Sequence, residues 1–384
     1  MTIEHLSSTS HSQGTHDNRQ PESSERCRDV RSSHGSIRRL GAFKNGESTK
    51  NGQTTNTMSY NAPSISFNPV TDLPNIKGKV VLVTGSSSGI GFATLQHLSR
   101  MGAKVYMAVP DVQQTKAALE RVQKEGREPG LGEVVWHELD LKDPRTAKAS
   151  AERFLEKETR LDLLVNNAAL ISDGGKPSLN IDGIPYNIAI NYLGPSVFTQ
   201  TLLPLLEQTA ADGTDVRIVN VGSAGHKDVT YHSFDSKAAW NHKFSFTILP
   251  TMERYKFSKL AVHLWSNHLA RRLTSNGSKV MLLIVHPGAI LSDGAIRNLK
   301  TLPFPSLWIW LLGKVMHPQE RGAFTSVFAG CAPRDDANIA HGAYIVPPNV
   351  LFPQSKTALD EAKQDELFKF TRELLDQLDI GVQL

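Results

Sequence analysis

Tyr255 and Lys259 stand four positions apart in the segment Tyr255-Lys256-Phe257-Ser258-Lys259. On a helix, side chains four residues apart lie on the same face, so the ammonium group would stand one turn from the phenol. A free phenol has a pKa near ~10, and proton transfer near neutrality needs its phenolate stabilised by roughly 4 kcal/mol, to which a neighbouring cation contributes. The pair therefore indicates general acid–base chemistry, although a surface helix can carry the same pair by chance.

A glycine-rich segment, Thr84-Gly85-Ser86-Ser87-Ser88-Gly89-Ile90-Gly91, lies between a β-branched run and a helical pattern at Phe92–Arg100. Glycines allow the backbone to approach a pyrophosphate, whose charge is then held by backbone N–H groups and by the positive end of the helix dipole. The alternative is an ordinary strand-to-helix turn. Because a strand precedes the segment and a helix follows it, we interpret it as a dinucleotide-binding loop.

The glycine spacing of this loop, Gly-x-x-x-Gly-x-Gly, together with the downstream Tyr-x-x-x-Lys pair, resembles the short-chain dehydrogenase/reductase family. Asp140 ends the third predicted strand, where the family places an aspartate that binds adenine. Asn166-Asn167-Ala168-Ala169 ends the fourth strand and is similar to the family's Asn-Asn-Ala-Gly, with one added methyl where Ala169 replaces glycine. The segment His286–Ser292 resembles the family's Pro-Gly-x-x-x-Thr segment, and Ser292 keeps the hydroxyl.

The resemblance also implies a catalytic set. Ser223 closes the fifth strand, where the family keeps a serine that hydrogen-bonds the substrate oxygen, and Gly222 replaces the first of a frequent serine pair. Asn191 matches a family asparagine that resembles a kink residue, holding a water between Lys259 and solvent. The implied catalytic residues are Asn191, Ser223, Tyr255 and Lys259. The implied cofactor contacts are Gly85, Ser87, Gly89, Ile90, Gly91, Asp140, Asn167, Tyr255, Lys259, Ile290 and Ser292.

The function that the resemblance implies is hydride transfer between a nicotinamide cofactor and a carbonyl or alcohol, with Tyr255 moving the proton. The separation of 32 positions between Ser223 and Tyr255 resembles the retinol-dehydrogenase-like branch, as do Pro318–Ala323 and Gly342–Pro347. The alternative is a non-catalytic Rossmann module that senses the cofactor or a protein partner. Cofactor binding without turnover would distinguish that module from an enzyme.

The segment between Ser223 and Tyr255 is expected to cover the substrate pocket. Its aromatic residues Trp240, Phe244 and Phe246 favour an apolar small-molecule substrate, unless they form only the small core of the segment. We expect no acid–base role for His226, because Tyr255 already performs that task and a lone histidine is usually structural.

The choice between NAD and NADP depends on the end of the second strand, where neither usual determinant is present. Val109 occupies the position of the acid that binds the ribose hydroxyls, and Pro110 occupies a position where the branch often has arginine. Asp111 follows the proline and is expected to point outward as a turn residue. The hydroxyls of Ser86–Ser88 suit a 2′-phosphate. We therefore expect NADP(H), with NAD as the alternative.

Short β-branched runs alternate with longer amphipathic runs after Lys77, which predicts an α/β, doubly wound parallel sheet of the Rossmann type with about seven strands. A closing helix is predicted over Ser355–Leu378. The predicted strands are Val80–Thr84, Lys104–Ala108, Glu133–Leu139, Asp162–Val165, Arg217–Val221, Val280–Val285 and Ala343–Val346.

The first 57 residues are polar, and they lack the apolar side chains that would offset the entropy of ordering. We expect a disordered tail over residues 1–57 and a single catalytic domain over residues 58–384. The change of composition at Met58 makes that residue a candidate start of the natural protein.

Composition narrows the classes of partner and compartment. The chain has 384 residues and a net charge of +4, and its basic residues are scattered among acids, so nucleic acid is not an expected partner. Two cysteines and dispersed histidines predict a reducing, cytoplasmic location and no metal. A homo-oligomer is plausible for the family.

An apolar run over Leu302–Leu312 contains two prolines and is too short to span a bilayer. No secretory signal is expected at the start of the chain. We interpret the run as a lid over an apolar pocket, and contact with a membrane surface is the alternative, which sedimentation with liposomes would test.

Overall fold

The structure, a computed structural model, describes residues 67–172, 177–245, 247, 249–300 and 304–382. Within these residues, eight strands form one sheet in the order β3-β2-β1-β4-β5-β6-β7-β8, parallel except for the antiparallel last strand. The strands are β1 Val80–Thr84, β2 Lys104–Val109, β3 Val134–Glu138, β4 Leu163–Asn166, β5 Arg217–Val221, β6 Met281–Val285, β7 Tyr344–Val346 and β8 Val350–Leu351.

Helices cover both faces of this sheet. A π-helical turn at Ala189–Leu193 and a 3-10 turn at Ala224–Lys227 add to the α-helices. The α-helices are α1 Pro69–Asp72, α2 Gly89–Arg100, α3 Val112–Glu125, α4 Pro144–Leu155, α5 Tyr186–Ile188, α6 Gly194–Ala211, α7 Lys237–Trp240, α8 Pro250–Ser275, α9 Asp293–Leu299, α10 Pro305–Gly313, α11 Gln319–Cys331, α12 Lys356–Leu359 and α13 Glu361–Gln377.

The predicted fold class, a doubly wound parallel sheet, is confirmed. Every predicted strand is present with bounds shifted by at most one residue, because each combines β-branched residues with burial, which is complete on both faces for the central strands and partial for β3. The eighth strand, β8, was not predicted, since a two-residue strand at the sheet edge carries no periodic signal. The predicted tail over residues 1–57 lies outside the described residues.

The buried apolar side chains form two cores, one on each face of the sheet. On one face, Leu95 of α2 and Val327 of α11 pack over β1 and β4. On the other, Phe198 of α6 and Leu264 of α8 pack with the opposite side chains of the same strands. The strand order runs from β1 to β2 and β3 on one side and to β4, β5 and β6 on the other. The connections on the two sides therefore diverge next to β1, which leaves a crevice at the carboxyl ends of the strands.

The predicted closing helix is divided in two. Asp360 ends α12 and caps α13, whose backbone N–H groups at Ala362 and Lys363 donate to its carboxylate. Leu367 and Leu374 of α13 are buried against α8, the helix that carries Tyr255 and Lys259. The closing helix therefore supports the back of the helix that carries the predicted acid–base pair.

Candidate active site

The glycine-rich segment forms a tight turn between β1 and α2. Gly89 begins α2 with a φ of +60°, a conformation that glycine adopts without steric cost. A Cβ at Gly91 would clash with the amide nitrogen of the Asn167 side chain, so glycine is required there. The turn is thus packed directly against the loop that follows β4.

The loop after β4 is tied to β1 by hydrogen bonds. The Asn167 amide donates to the Thr84 carbonyl at 2.9 Å, and the Thr84 hydroxyl accepts from the backbone N–H groups of Asn167 and Ala168 at 3.0 Å each. Ala168 packs where a side chain at Gly85 would otherwise stand. Ala169, the departure from the family motif, is exposed.

An anion already stands at the start of α2. The Asp293 carboxylate of α9 accepts a hydrogen bond from the Gly89 N–H at 2.9 Å. A helix N-terminus favours negative charge because its first N–H groups lack partners within the helix. The turn therefore fits a phosphate-bearing dinucleotide, since its backbone binds an acid group where a pyrophosphate is expected.

The three serines of the loop have different surroundings. The Ser86 hydroxyl is buried and donates to the Val83 carbonyl at 2.7 Å, so it does not face the crevice. The Ser87 hydroxyl lies 3.4 Å from the Gln114 side-chain oxygen, and the Ser88 side chain makes no capping hydrogen bond to α2. Only Ser87 and Ser88 are therefore placed to meet a cofactor.

Two acids flank the expected adenosine end of the crevice. Asp111 caps α3, because its carboxylate accepts from the Gln114 N–H at 2.8 Å. Asp140 follows β3, and its carboxylate accepts from the Lys142 N–H at 2.9 Å. Asp111 is therefore a capping residue of the turn, while Asp140 stands at the position expected from the motif.

Tyr255 and Ser223 come together at the carboxyl edge of the sheet. Ser223 follows β5, Tyr255 lies in α8, and the Ser223 hydroxyl is near enough to the phenol to influence its pKa. Burial raises the pKa of Tyr255 to about 12, and the Ser223 hydroxyl opposes that rise by stabilising the phenolate. The protein alone therefore keeps the phenol protonated.

Lys259 lies one turn after Tyr255 and is buried. Its Nζ donates to the Val221 carbonyl at 2.7 Å and stands 5.9 Å from the centre of the Tyr255 ring. Burial lowers the pKa of Lys259 to about 8, because removing the ammonium from water disfavours its charge.

Asn191 lies in the π-helical turn between α5 and α6. Its side-chain oxygen accepts from the Leu170 N–H at 2.6 Å, and its amide donates to the Leu170 carbonyl at 3.0 Å and to the Ser258 hydroxyl at 2.8 Å. A π-helical turn widens a helix locally and is frequent at functional sites. It places Asn191 against α8 between Tyr255 and Lys259.

The imidazoles of His226 and His263 form a stacked pair next to Ser223. The sequence motifs do not indicate this pair. His226 and His263 stack with ring centres 3.7 Å apart. The Ser355 N–H donates to His226 Nε2 at 3.0 Å, so the proton resides on Nδ1, which donates to the Ser223 carbonyl at 2.6 Å. Burial lowers the pKa of His226 to about 4.

Gly222 makes room for this pair. A Cβ at Gly222 would clash with Nε2 of His263, so the serine that often stands there in the family pattern would not fit. His263 is itself held through Nδ1 by the Gln354 side chain at 2.8 Å. The absence of the first serine at Gly222 was the only signal that could have revealed the histidines.

Ile290 and Ser292 follow β6 on the side of the glycine-rich turn. Ile290 is buried and forms a backbone bridge with His317. The Ser292 hydroxyl accepts from the Ala295 N–H at 3.3 Å, and its Cβ would lie 3.7 Å from a Cβ placed on Gly89. Ser292 therefore stands beside the turn.

The aromatic residues between Ser223 and Tyr255 are packed inside the protein. Trp240 and Phe244 are buried, and Trp240 meets Phe370 of α13 edge to face at 4.9 Å between ring centres. Phe246 lies outside the described residues. Of the two interpretations of these residues, the structure favours a small core for Trp240 and Phe244.

Comparison with known proteins agrees with this geometry. The family described as short chain dehydrogenase matches residues 79–239. A short-chain dehydrogenase/reductase of Armillaria gallica is 38% identical over 310 residues, which cover 80% of this chain and 96% of that protein. Retinol dehydrogenase 12 of Mus musculus is 31% identical over 306 residues, covering 78% of this chain and 87% of its own.

Solved structures show the same fold. A Mycobacterium paratuberculosis protein is 25% identical with a TM-score of 0.58, and the match covers 80% of this chain and 97% of that one. Pseudomonas aeruginosa RhlG, solved with NADP, is 23% identical with a TM-score of 0.53, covering 71% of this chain and 96% of its own.

Proposed function

Because the chain belongs to the short-chain dehydrogenase family, we propose that it is a nicotinamide-dependent oxidoreductase that interconverts a carbonyl and an alcohol, with Tyr255 as the acid and base. The observation that carries this proposal is the proximity of the Ser223 hydroxyl to the Tyr255 phenol, where it stabilises the phenolate. Both stand in the same crevice as the glycine-rich turn, with Lys259 buried one helical turn away.

Each residue of the site has its own role in the proposed reaction. The nicotinamide, when bound, supplies or accepts the hydride. Tyr255 gives its proton to the substrate oxygen in reduction and takes it back in oxidation. Ser223 holds the same oxygen through its hydroxyl, and Lys259 binds the ribose hydroxyls. Asn191 positions α8 through its hydrogen bond to Ser258.

For the cofactor we propose NADP(H), with NAD as the alternative. Val109 is buried and carries no charge, and the Asp111 carboxylate is occupied by the cap of α3. A 2′-phosphate is therefore repelled less here than it would be if an acidic side chain faced the ribose. The partly exposed hydroxyls of Ser87 and Ser88 suit the additional oxygens of that phosphate.

The substrate that we propose is an apolar small molecule. Met252 precedes Tyr255 by three positions in α8 and is 39% exposed, and Leu249 just before the helix is 62% exposed. Residues three apart lie on one helix face, so Met252 stands beside the phenol. We therefore expect Leu249 and Met252 to contact the substrate, since Trp240 and Phe244 are buried.

The experiment has two parts. Saturation binding of NADPH and NADH to the unmodified protein tests the cofactor, and a clearly tighter NADH would overturn our choice. Turnover with the preferred cofactor is then measured across a panel of apolar aldehydes, ketones and alcohols, with polar sugars for comparison. Cofactor binding without turnover of any member would favour the non-catalytic module.

We further propose a cytoplasmic, reducing location, because Cys331 is a free, buried thiol and the other cysteine, Cys27, lies in the polar tail. A homo-oligomer remains a prediction. Analytical ultracentrifugation of the full chain would measure its mass directly.

A further inference from the structure

Residues 290–300 and 304–317 belong to an excursion that leaves the sheet after β6 and returns to the same place. Ile290 and His317 pair at its base. The Leu291 N–H donates to the His317 carbonyl at 3.0 Å, and the His317 N–H donates to the Ala289 carbonyl at 2.9 Å. The excursion is thus closed by backbone hydrogen bonds and carries α9 and α10 outward on a fixed base.

Helix α10, Pro305-Ser306-Leu307-Trp308-Ile309-Trp310-Leu311-Leu312-Gly313, contains no buried side chain. Leu307 is 52% exposed, Trp310 is 57% exposed and Leu311 is 41% exposed. The flanking residues Phe304 and Val315 are more exposed still, at 79% and 75%. A helix that is apolar on all sides is normally buried, so this contiguous surface marks an interaction site.

Basic residues border this apolar surface. Between Asp293 and Glu320 the sequence contains no acid, and it contains three bases, of which Lys300 and Lys314 are exposed. Lys314 Nζ stands 3.5 Å from the centre of the Trp310 ring. A lysine that lays its stem over an exposed aromatic ring keeps its ammonium at the boundary between an apolar phase and water.

We propose that α10 docks the protein onto a phospholipid bilayer that contains anionic headgroups. A protein groove would cover one stripe of a helix, whereas α10 is apolar around its circumference, which suits immersion among acyl chains. Tryptophans and lysines at its borders are the residues that proteins place at the level of the headgroups. When α10 is docked, the body of the protein beneath the excursion faces water.

The dimensions of α10 fit docking within one leaflet. Nine residues span about 14 Å, less than half of the roughly 30 Å hydrocarbon core. Among the helices of the described residues, none is both long enough and apolar enough to cross a bilayer. Docking through α10 therefore reaches into one leaflet only, and it is independent of whether the proposed oxidoreductase activity is correct.

Co-sedimentation of the full chain with vesicles tests the proposal. One set of vesicles is pure phosphatidylcholine and the other also contains phosphatidylserine. We expect the chain to bind, and to bind more tightly when phosphatidylserine is present. The double variant Leu307→Ser/Trp310→Ser should lower the partition coefficient at least about tenfold.

Two further variants make the result specific. Leu179→Ser/Leu359→Ser removes two apolar side chains of similar exposure elsewhere, 47% and 55%, and should bind vesicles as the wild type does. Lys300→Glu/Lys314→Glu should abolish the preference for phosphatidylserine. A wild-type chain that does not bind either vesicle, or a Leu307→Ser/Trp310→Ser variant that binds unchanged, would overturn the proposal.

Tryptophan fluorescence separates the other possible occupants of this surface. Trp240 and Trp265 are buried and Trp136 is half-buried, so in a Trp136→Phe background a blue shift and quenching by brominated lipid would report from α10 and support docking. The same shift on adding cofactor and substrate without vesicles would identify a lid instead. A dimer that the double variant disperses in sedimentation velocity would identify a second copy as the occupant. Either result without vesicle binding contradicts the proposal.

Discussion

The Asp293 carboxylate accepts a hydrogen bond from the Gly89 N–H at 2.9 Å, although the two residues lie 204 positions apart. The contact joins the excursion after β6 to the start of α2, the place expected to hold the dinucleotide phosphates. A carboxylate and a phosphate cannot occupy one N–H group together. Asp293 is therefore expected to compete with the cofactor.

Replacing Asp293 by alanine should tighten cofactor binding. An anion at a helix N-terminus contributes up to about 1 kcal/mol, so its removal should lower the Kd by on the order of fivefold. Calorimetric titration with NADPH measures the change. Asp335→Ala, which removes an exposed acid outside the site, serves as the control. A weaker or unchanged Kd in Asp293→Ala would show that the contact does not oppose binding.

Tyr255→Phe should remove the proton donor while leaving the fold and the cofactor Kd unchanged. We expect turnover to fall roughly 10²- to 10⁴-fold, the usual contribution of a general acid. Steady-state rates measure the loss, and thermal melting checks the fold. Tyr186→Phe, a variant of a half-buried tyrosine outside the site, should keep its activity. Near-normal turnover in Tyr255→Phe would refute the assignment.

Lys259→Met should weaken cofactor binding and change how stability depends on pH. The folded-state pKa of Lys259, about 8, lies below the usual value near 10.5. The unfolded chain therefore binds more protons than the folded chain between these pH values, and the contribution of Lys259 to stability rises with pH across that window.

Urea unfolding at several pH values from 7 to about 10.5 measures this effect. The stability of the wild type relative to Lys259→Met should improve from pH 8 upward and stay level below it. Lys369→Met, at an exposed position of α13, should show no such slope. A difference that does not vary with pH would mean that Lys259 keeps an ordinary pKa in the folded protein.

His226→Leu should lower kcat with little change in the cofactor Kd. The substitution removes the imidazole donor from the Ser223 carbonyl, which keeps only the 3.3 Å hydrogen bond from the backbone N–H of residue 226, and it leaves the Ser355 N–H without a partner. The lost hydrogen bonds cost about 1 to 3 kcal/mol and loosen the position of Ser223. We expect roughly tenfold slower turnover. His226→Asn keeps an N–H donor near Nδ1 and should recover part of the rate. Equal loss in both variants would indicate a purely structural role.

Asp111→Ala should change the Kd of NADH and of NADPH little, because the Asp111 carboxylate is engaged in capping α3. Stability should fall by about 1 kcal/mol, the usual cost of a lost N-cap, and Asp111→Ser should restore it. Parallel binding titrations and unfolding curves make the comparison. Weaker NADH binding joined to tighter NADPH binding would place Asp111 at the ribose and overturn the NADP(H) proposal.

The strands, the glycine-rich turn and the Tyr255–Lys259 pair were predictable because each depends on neighbours within one element. Local periodicity and turn chemistry are enough for such features. The Asp293 contact and the stacking of His226 on His263 join residues from separate elements. They depend on how the loops return to the sheet, which no local pattern encodes.

Gly222 illustrates the same limit at one residue. The motif comparison showed that a serine was missing there, but the cause is the imidazole of His263, 41 positions later in α8. The aromatic residues Trp240 and Phe244 show the converse. Their types suggested a pocket lining, whereas tertiary packing on α13 uses them as core.

The π-helical turn at Ala189–Leu193 holds one residue more than a continuous α-helix through α5 and α6 would need. Deleting a single residue from this turn should convert it to a regular helix at little cost in backbone hydrogen bonding. Each residue advances a helix by about 100°. After the deletion, residues before and after the turn would differ by that angle. If Asn191 still faced Leu170, the apolar face of α6 would turn away from the sheet, and if α6 kept its packing, Asn191 would turn away from Leu170. The length of this segment is therefore as constrained as its composition.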